Sequence, residues 1–202
     1  MAEVTILNYG IGNTGSIANM LRKLRISANI VTTPAAIAGA RRVILPGIGA
    51  FDACMQALKQ SDLLAAVLDF ASAGRPLLGI CVGMQMLTNG SEEGALPGLG
   101  LIPARTRRFA MSPGMRIPHM GWNAVTWNGL QHPLAQGLEE NRFYFVHSYY
   151  VDCDSEADVL GTCQFGAPFA AAIARGSVAG VQFHPEKSHR FGLQLLSNFA
   201  AL

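Results

Sequence analysis

Cys81 is the residue best placed to do chemistry. It stands in Pro76-Leu77-Leu78-Gly79-Ile80-Cys81-Val82-Gly83-Met84-Gln85, after an apolar run that reads as a strand and before a pattern that reads as a helix. Gly79 and Gly83 lie two residues to either side. That order is the strand-turn-helix elbow, which holds a nucleophile at the crest of a sharp turn, here with cysteine where serine is usual. Strand and helix backbones approach so closely in such a turn that a Cβ at either glycine would clash. The thiolate is the reactive species, and a cysteine with a pKa of about 8.5 is mostly protonated at neutral pH. The free N–H groups of a helix start, with a nearby imidazolium, favour the anion.

A second feature supplies that imidazole. The run Gly180-Val181-Gln182-Phe183 reads as a strand leading into His184-Pro185-Glu186. Histidine can take a proton from a thiol and return it to a leaving amine near neutral pH. It needs a partner to fix its tautomer. Read as extended chain, the segment projects Glu186 to the same side as His184, and Pro185 keeps His184 out of helical geometry. Acyl transfer also needs N–H donors for the tetrahedral oxyanion. The N–H of Val82, just after the nucleophile, is one candidate, and Gly47, Ile48 and Gly49 in Leu45-Pro46-Gly47-Ile48-Gly49 are others. On its own evidence the latter segment reads equally as an ordinary turn. These residues by themselves describe a cysteine hydrolase.

Other chemistries are excluded. Gly10-Ile11-Gly12-Asn13-Thr14-Gly15 has the form of a dinucleotide fingerprint, but no Asp or Glu occurs between Glu3 and Asp52 to hold a ribose. A glycine-rich turn facing a ligand or partner is expected there instead. The four cysteines, Cys54, Cys81, Cys153 and Cys163, lack metal-ligand or disulfide-framework spacing. His119, His132, His147 and His189 read as loop or surface residues. No metal and no cofactor is expected. A formal charge of +2 without a basic run argues against nucleic acid and anionic membrane as partners. No run approaches the roughly 18 to 20 apolar residues of a membrane span, and Met1-Ala2-Glu3 does not open a signal peptide. A cytoplasmic protein is expected.

The elements that must position these residues follow from hydrophobic periodicity. Strands are predicted over 4–7, 29–31, 42–45 and 76–80, with helices starting near residue 17 and over 51–59 and 63–73. Buried strands alternating with helices make an α/β, doubly wound, mainly parallel sheet. Later strands over 123–127, 142–146, 149–153, 159–163, 170–174 and 178–183 have too little helix between them for parallel crossovers. An antiparallel extension is therefore expected in the second half, closed by a helix over 193–199. Nothing marks a linker, so residues 1–202 read as a single domain, with half of its residues hydrophobic to fill one core.

Together, the Cys81 elbow and His184-Pro185-Glu186 resemble the class I (triad-type) glutamine amidotransferases, whose fold is flavodoxin-like. Asn8-Tyr9-Gly10-Ile11-Gly12-Asn13, Leu45-Pro46-Gly47-Ile48-Gly49-Ala50-Phe51, Pro118-His119-Met120-Gly121-Trp122-Asn123 and Phe143-Tyr144-Phe145-Val146-His147-Ser148-Tyr149 are similar to the glutaminase subunits of imidazole glycerol phosphate synthase, in histidine biosynthesis. The likeness spans nearly the whole chain. It implies Cys81 as nucleophile, His184 as acid and base, and Glu186 as its orienter. It further implies Gly49, Gln85, Glu92, Ser148 and Tyr149 around an L-glutamine substrate, and Asn13, Met120, Trp122, Tyr144 and Lys187 facing a (β/α)8 cyclase subunit in a heterodimer. The cyclase would use the ammonia to make imidazole glycerol phosphate and AICAR. Asn8 departs from the family, where Asp often stands. The alternatives are a glutaminase of pyridoxal phosphate, anthranilate or GMP synthesis, a noncatalytic binding subunit, or a standalone cysteine hydrolase. Met84, where several of the other glutaminases carry histidine, speaks against the first.

Overall fold

The computed structural model describes residues 3–110, 116–128, 131–139 and 141–202. The first half follows the periodicity: β1 (Val4–Leu7), α1 (Thr14–Lys23), β2 (Ala28–Val31), α2 (Pro34–Ala38), β3 (Val43–Gly47), α3 (Phe51–Gln60), α4 (Leu63–Ser72), β4 (Leu77–Cys81) and α5 (Val82–Met86). β1, β3 and β4 are buried along their length, as strands covered by helices on both faces must be. All pair in parallel in the order β2-β1-β3-β4. Their carboxyl ends therefore open onto one edge of the sheet, where ligands bind in doubly wound folds.

The second half comprises β5 (Ala104–Arg108), β6 (His119–Ala124), β7 (Thr126–Trp127), β8 (Arg142–His147), β9 (Tyr149–Cys153), β10 (Val159–Phe165), β11 (Ala167–Arg175), β12 (Val178–Val181) and α6 (His189–Ala201). Antiparallel pairing holds for β5 with β9, β6 with β8, β10 with β11, and β11 with β12. β12 departs from that expectation on its other side: it runs parallel to β4, Val181 opposite Ile80. The long excursion through β5 to β11 serves as the crossover, and it delivers His184 to the same edge as Cys81. The predicted strand over 123–127 divides at Val125, because β6 belongs to the β6–β8 ribbon while β7 pairs with β10. One cluster of buried side chains, from Val4 to Phe199, joins both halves.

The elbow glycines are fixed by contact. A Cβ on Gly79 would strike the Gly83 backbone, and one on Gly83 would strike the Leu45 carbonyl of β3. The second clash is with the neighbouring strand rather than with β4. Both obstacles are backbone and cannot rotate away. Gly83→Ala is therefore expected to lower unfolding stability by about 1–3 kcal/mol, the usual cost of overpacking. Denaturant titration checks this, and an unchanged midpoint would contradict the contact.

Candidate active site

Cys81 ends β4 with φ 56° and ψ −114°. A positive φ in a non-glycine residue is strained, and the two flanking glycine contacts hold it there. Gly47, at the end of β3, is Cys81's register partner, and a Cβ there would hit the Gly83 amide. Gly47 thus fits against the elbow, while Ile48 and Gly49 reach the space in front of the thiol. That space is a cavity of about 430 Å³ whose lining includes Ile48, Gly49, Cys81, Val82, Gln85 and Glu93 from the first half of the chain and Pro118, Val146, His147, Ser148, Tyr149, His184 and Lys187 from the second.

His184 follows β12, buried, with its backbone extended at φ −99° and ψ 98°. Its Nδ1 lies 2.8 Å from Glu186 Oε1. The pairing is as expected, but its route is different. Residues Pro185–Lys187 form a 3-10 turn, which curls the buried carboxylate back under the ring. The Ser188 hydroxyl locks the turn by donating to the His184 carbonyl at 2.6 Å. Burial pushes the His184 pKa down, but hydrogen bonds to Cys81 and Glu186 and the charges of both outweigh it and raise it to about 9. A protonated His184 thus faces Cys81 across a hydrogen bond.

The sign of the pH dependence follows. A histidine raised from 6.5 to about 9 adds stability in full below 6.5, and that contribution is lost as pH rises through 9. The His184 ring nitrogens are expected to titrate near pH 9 by 15N NMR, and Glu186→Gln to move the midpoint down. A midpoint unmoved by that change would deny Glu186 its role.

Around the thiol, Gln182 Nε2 lies 3.8 Å from Cys81 Sγ, and Gln85 Nε2 donates to Gln182 Oε1 at 3.1 Å and to the Tyr149 carbonyl at 3.4 Å. Gln85, Ser148, Tyr149 and Gly49 line the cavity in front of Cys81. Glu92 does not. Its carboxylate is turned outward to the Arg108 N–H at 2.8 Å and to Arg107, whereas Glu93 lines the cavity and accepts from the Phe51 N–H at 2.8 Å. Sequence reasoning missed Glu93, although it is the neighbouring residue, and also Gln182. The latter was readable, since it lies two residues before His184 in extended chain and so shares its side.

The Gly10 to Gly12 turn packs on the carboxyl end of β3. Gly12 abuts the Pro46 side chain, and the Tyr9 hydroxyl donates to the Pro46 carbonyl at 2.6 Å. The Cys54 thiol donates to the Ile48 carbonyl at 3.2 Å. Among the candidate interface residues, Met120 and Trp122 project from β6 and are 62% and 40% exposed, a large apolar outlay for a free surface. Tyr144 is Trp122's cross-strand partner, and Lys187 Nζ sits 5.7 Å from the Tyr144 ring centre. Asn13 stands at the N-cap position of α1, after the Gly10 to Gly12 turn, with no capping bond from its side chain.

Two histidines overturn their expected surface placement. His119 and His147 are buried opposite one another in the ribbon, ring nitrogens 2.9 Å apart. Burial lowers His119 to about 4 and His147 to about 3, so both are neutral at pH 7. His132 and His189 do lie in a loop and on the surface, His189 stacked flat on Trp122 at 5.2 Å.

With this geometry in hand, comparisons with known proteins agree on its kind. The family profile described as glutamine amidotransferase class-I matches residues 5–201. Imidazole glycerol phosphate synthase subunit HisH 2 of Methanococcus maripaludis is 47% identical over 198 residues, covering 97% of this chain and 98% of that relative. The protein of the same name from Pseudomonas aeruginosa is 46% identical over 201 residues, covering 98% and 99%. Subunit HisH of Bdellovibrio bacteriovorus is 44% identical over 204 residues, covering 98% and 100%. A crystal structure of a glutamine amidotransferase superposes with TM-score 0.75 at 21% identity, covering 98% and 99%. The structure of PurLQS from Thermotoga maritima gives 0.73 at 16%, covering 98% and 97%. At such identities these two speak to the fold alone.

Proposed function

We infer the function from the premise that the chain belongs to the class-I glutamine amidotransferases and, within them, to the glutaminase subunits of imidazole glycerol phosphate synthase. It hydrolyses glutamine to glutamate and ammonia for histidine biosynthesis. The observation that carries the chemistry is the buried Cys81, His184 and Glu186 constellation opening onto a cavity of about 430 Å³.

Cys81 Sγ attacks the side-chain amide carbon of glutamine, and the carbonyl oxygen takes the negative charge. The Val82 N–H, with N–H groups of Ile48 and Gly49, is assigned to that oxyanion, while Gly47 supports them from its place against the elbow. His184 gives its proton to the amide nitrogen, and the C–N bond breaks to release ammonia and leave a glutamyl thioester on Cys81. The neutral ring then takes a proton from water, whose oxygen attacks the thioester carbon. Glutamate leaves, and the thiolate–imidazolium pair is restored. Glu186 holds the ring in the productive tautomer throughout. Gln85, Gly49, Ser148 and Tyr149 are assigned to glutamine, and Glu93, in place of Glu92, is the carboxylate available to a substrate ammonium group.

Ammonia released into water would be protonated and lose its nucleophilicity. A docked acceptor solves this, and the assigned partner is a (β/α)8 cyclase subunit in a heterodimer, which makes imidazole glycerol phosphate and AICAR. Asn13, Met120, Trp122, Tyr144 and Lys187 are assigned to that interface. The whole chain, residues 1–202, acts as one domain in the cytoplasm. Among the described residues no helix is long and apolar enough to cross a membrane. A glutamine-analogue electrophile is expected to label Cys81 alone of the four cysteines, with glutamine protecting it. Equal labelling of Cys153, or none at Cys81, would favour a noncatalytic subunit.

A further inference from the structure

The buried His119 and His147 take no part in the chemistry above, yet the cavity wall includes His147. The donors and acceptors around them admit one arrangement. The Tyr149 carbonyl, 2.7 Å from His147 Nδ1, can only accept, so His147 carries its proton on Nδ1. In a neutral ring Nε2 must then accept, and its neighbour at 2.9 Å is His119 Nδ1, which therefore donates. His119 Nε2 is left as an acceptor, and the Asn123 side-chain amide meets it at 3.3 Å while also donating to the Gln164 carbonyl at 2.8 Å. The proton polarity runs one way, from Asn123 through both rings to the Tyr149 carbonyl.

Two further facts give this chain a purpose. Both nitrogens of His147 are engaged inside the protein, so the face it turns to the cavity is carbon, and it is wall rather than ligand. The Tyr149 carbonyl it holds is the one that also receives Gln85 Nε2, which in turn meets Gln182 and, beyond it, Cys81 Sγ. Here the chain passes from the β6–β8 ribbon into β9, and the bond from His147 to Tyr149 closes that corner. An aromatic cage keeps the rings dry: Phe165 stacks on His119 at 4.3 Å, and Phe109 and Phe169 lie 5.3 and 5.2 Å from His147.

We propose that the His119 and His147 pair is a positioning device for glutamine binding, which fixes the Tyr149 carbonyl and with it the backbone of Ser148 and Tyr149 and the Gln85 side chain. This rests on the glutaminase reading. The pair touches no reacting atom and acts through the wall it holds. Losing the His119 proton leaves His147 Nε2 buried without a donor, and His147 is then free to change tautomer and release Tyr149.

Two substitutions at His119 separate positioning from packing. His119→Phe keeps a ring in the aromatic cage and loses the donor. His119→Asn loses the ring and restores an amide donor at the place of Nδ1. In the complex with the cyclase subunit, His119→Phe is expected to raise the KM for glutamine about ten-fold, the effect of one unsatisfied buried group. Its synthesis rate from ammonium salts should be unchanged. His119→Asn is expected to stay within about three-fold of the original KM despite its poorer packing. An unmoved KM in His119→Phe, or His119→Asn worse than His119→Phe, would overturn the proposal. If either chain fails to fold, 15N NMR of the unsubstituted protein decides: both rings are expected to carry their proton on Nδ1, and a proton on Nε2 of either ring would overturn the proposal. If the unsubstituted complex does not turn over glutamine at all, the glutaminase reading falls and this proposal with it. Normal turnover with an unmoved KM in the variants removes the proposal alone.

Discussion

Cys81→Ala is expected to abolish glutamine-dependent synthesis by the complex while leaving synthesis from ammonium salts intact. The alanine removes the only atom able to form the thioester, so the fall should reach about 10⁴-fold or more, as for other triad nucleophiles. Little else should change, because the flanking contacts of Gly79 and Gly83 shape the elbow without the sulfur. Alanine also relieves no strain, since its own Cβ must adopt the same φ of 56°. Parallel assays with glutamine and with ammonium measure the split. An equal fall in both would mean that Cys81 supports the partner's chemistry and not ammonia release.

His184→Ala is expected to do nearly as much damage, about 10⁴-fold or more in glutamate release, because one ring supplies the proton for the leaving nitrogen and the charge facing the thiol. Residues acting as a unit are not additive. The double variant with Cys81→Ala should therefore be no worse than either single one. Glutamate release under saturating glutamine checks this, and losses that multiply would show that the two side chains work separately.

How far this site could be read from sequence depended on how local its determinants were. The elbow was legible because the Gly79, Cys81 and Gly83 spacing encodes a backbone contact within a few residues. The sheet was legible up to β4 because buried parallel strands are unbroken apolar runs. β5 escaped notice: its outward arginines hide a two-residue alternation in which only Ala104 and Thr106 face inward. Glu186 was found by a wrong route, since extended geometry and a 3-10 turn both bring it to His184. The exchange of Glu92 for Glu93 is a difference of one residue in a turn, decided by Arg107 and the Phe51 amide, which lie distant in sequence. The burial of His119 and His147 was beyond local reading altogether, because it arises from β6 pairing with β8 in a register that no local pattern specifies.

The most direct measurement mixes this chain with the (β/α)8 cyclase subunit and its ligand, glutamine being the sole nitrogen source, and follows glutamate and imidazole glycerol phosphate together. The account predicts low glutamate release from the chain alone, then, on mixing, glutamate and product rising in equal amounts. Glutamate released without product, or at a rate indifferent to the cyclase, would contradict it.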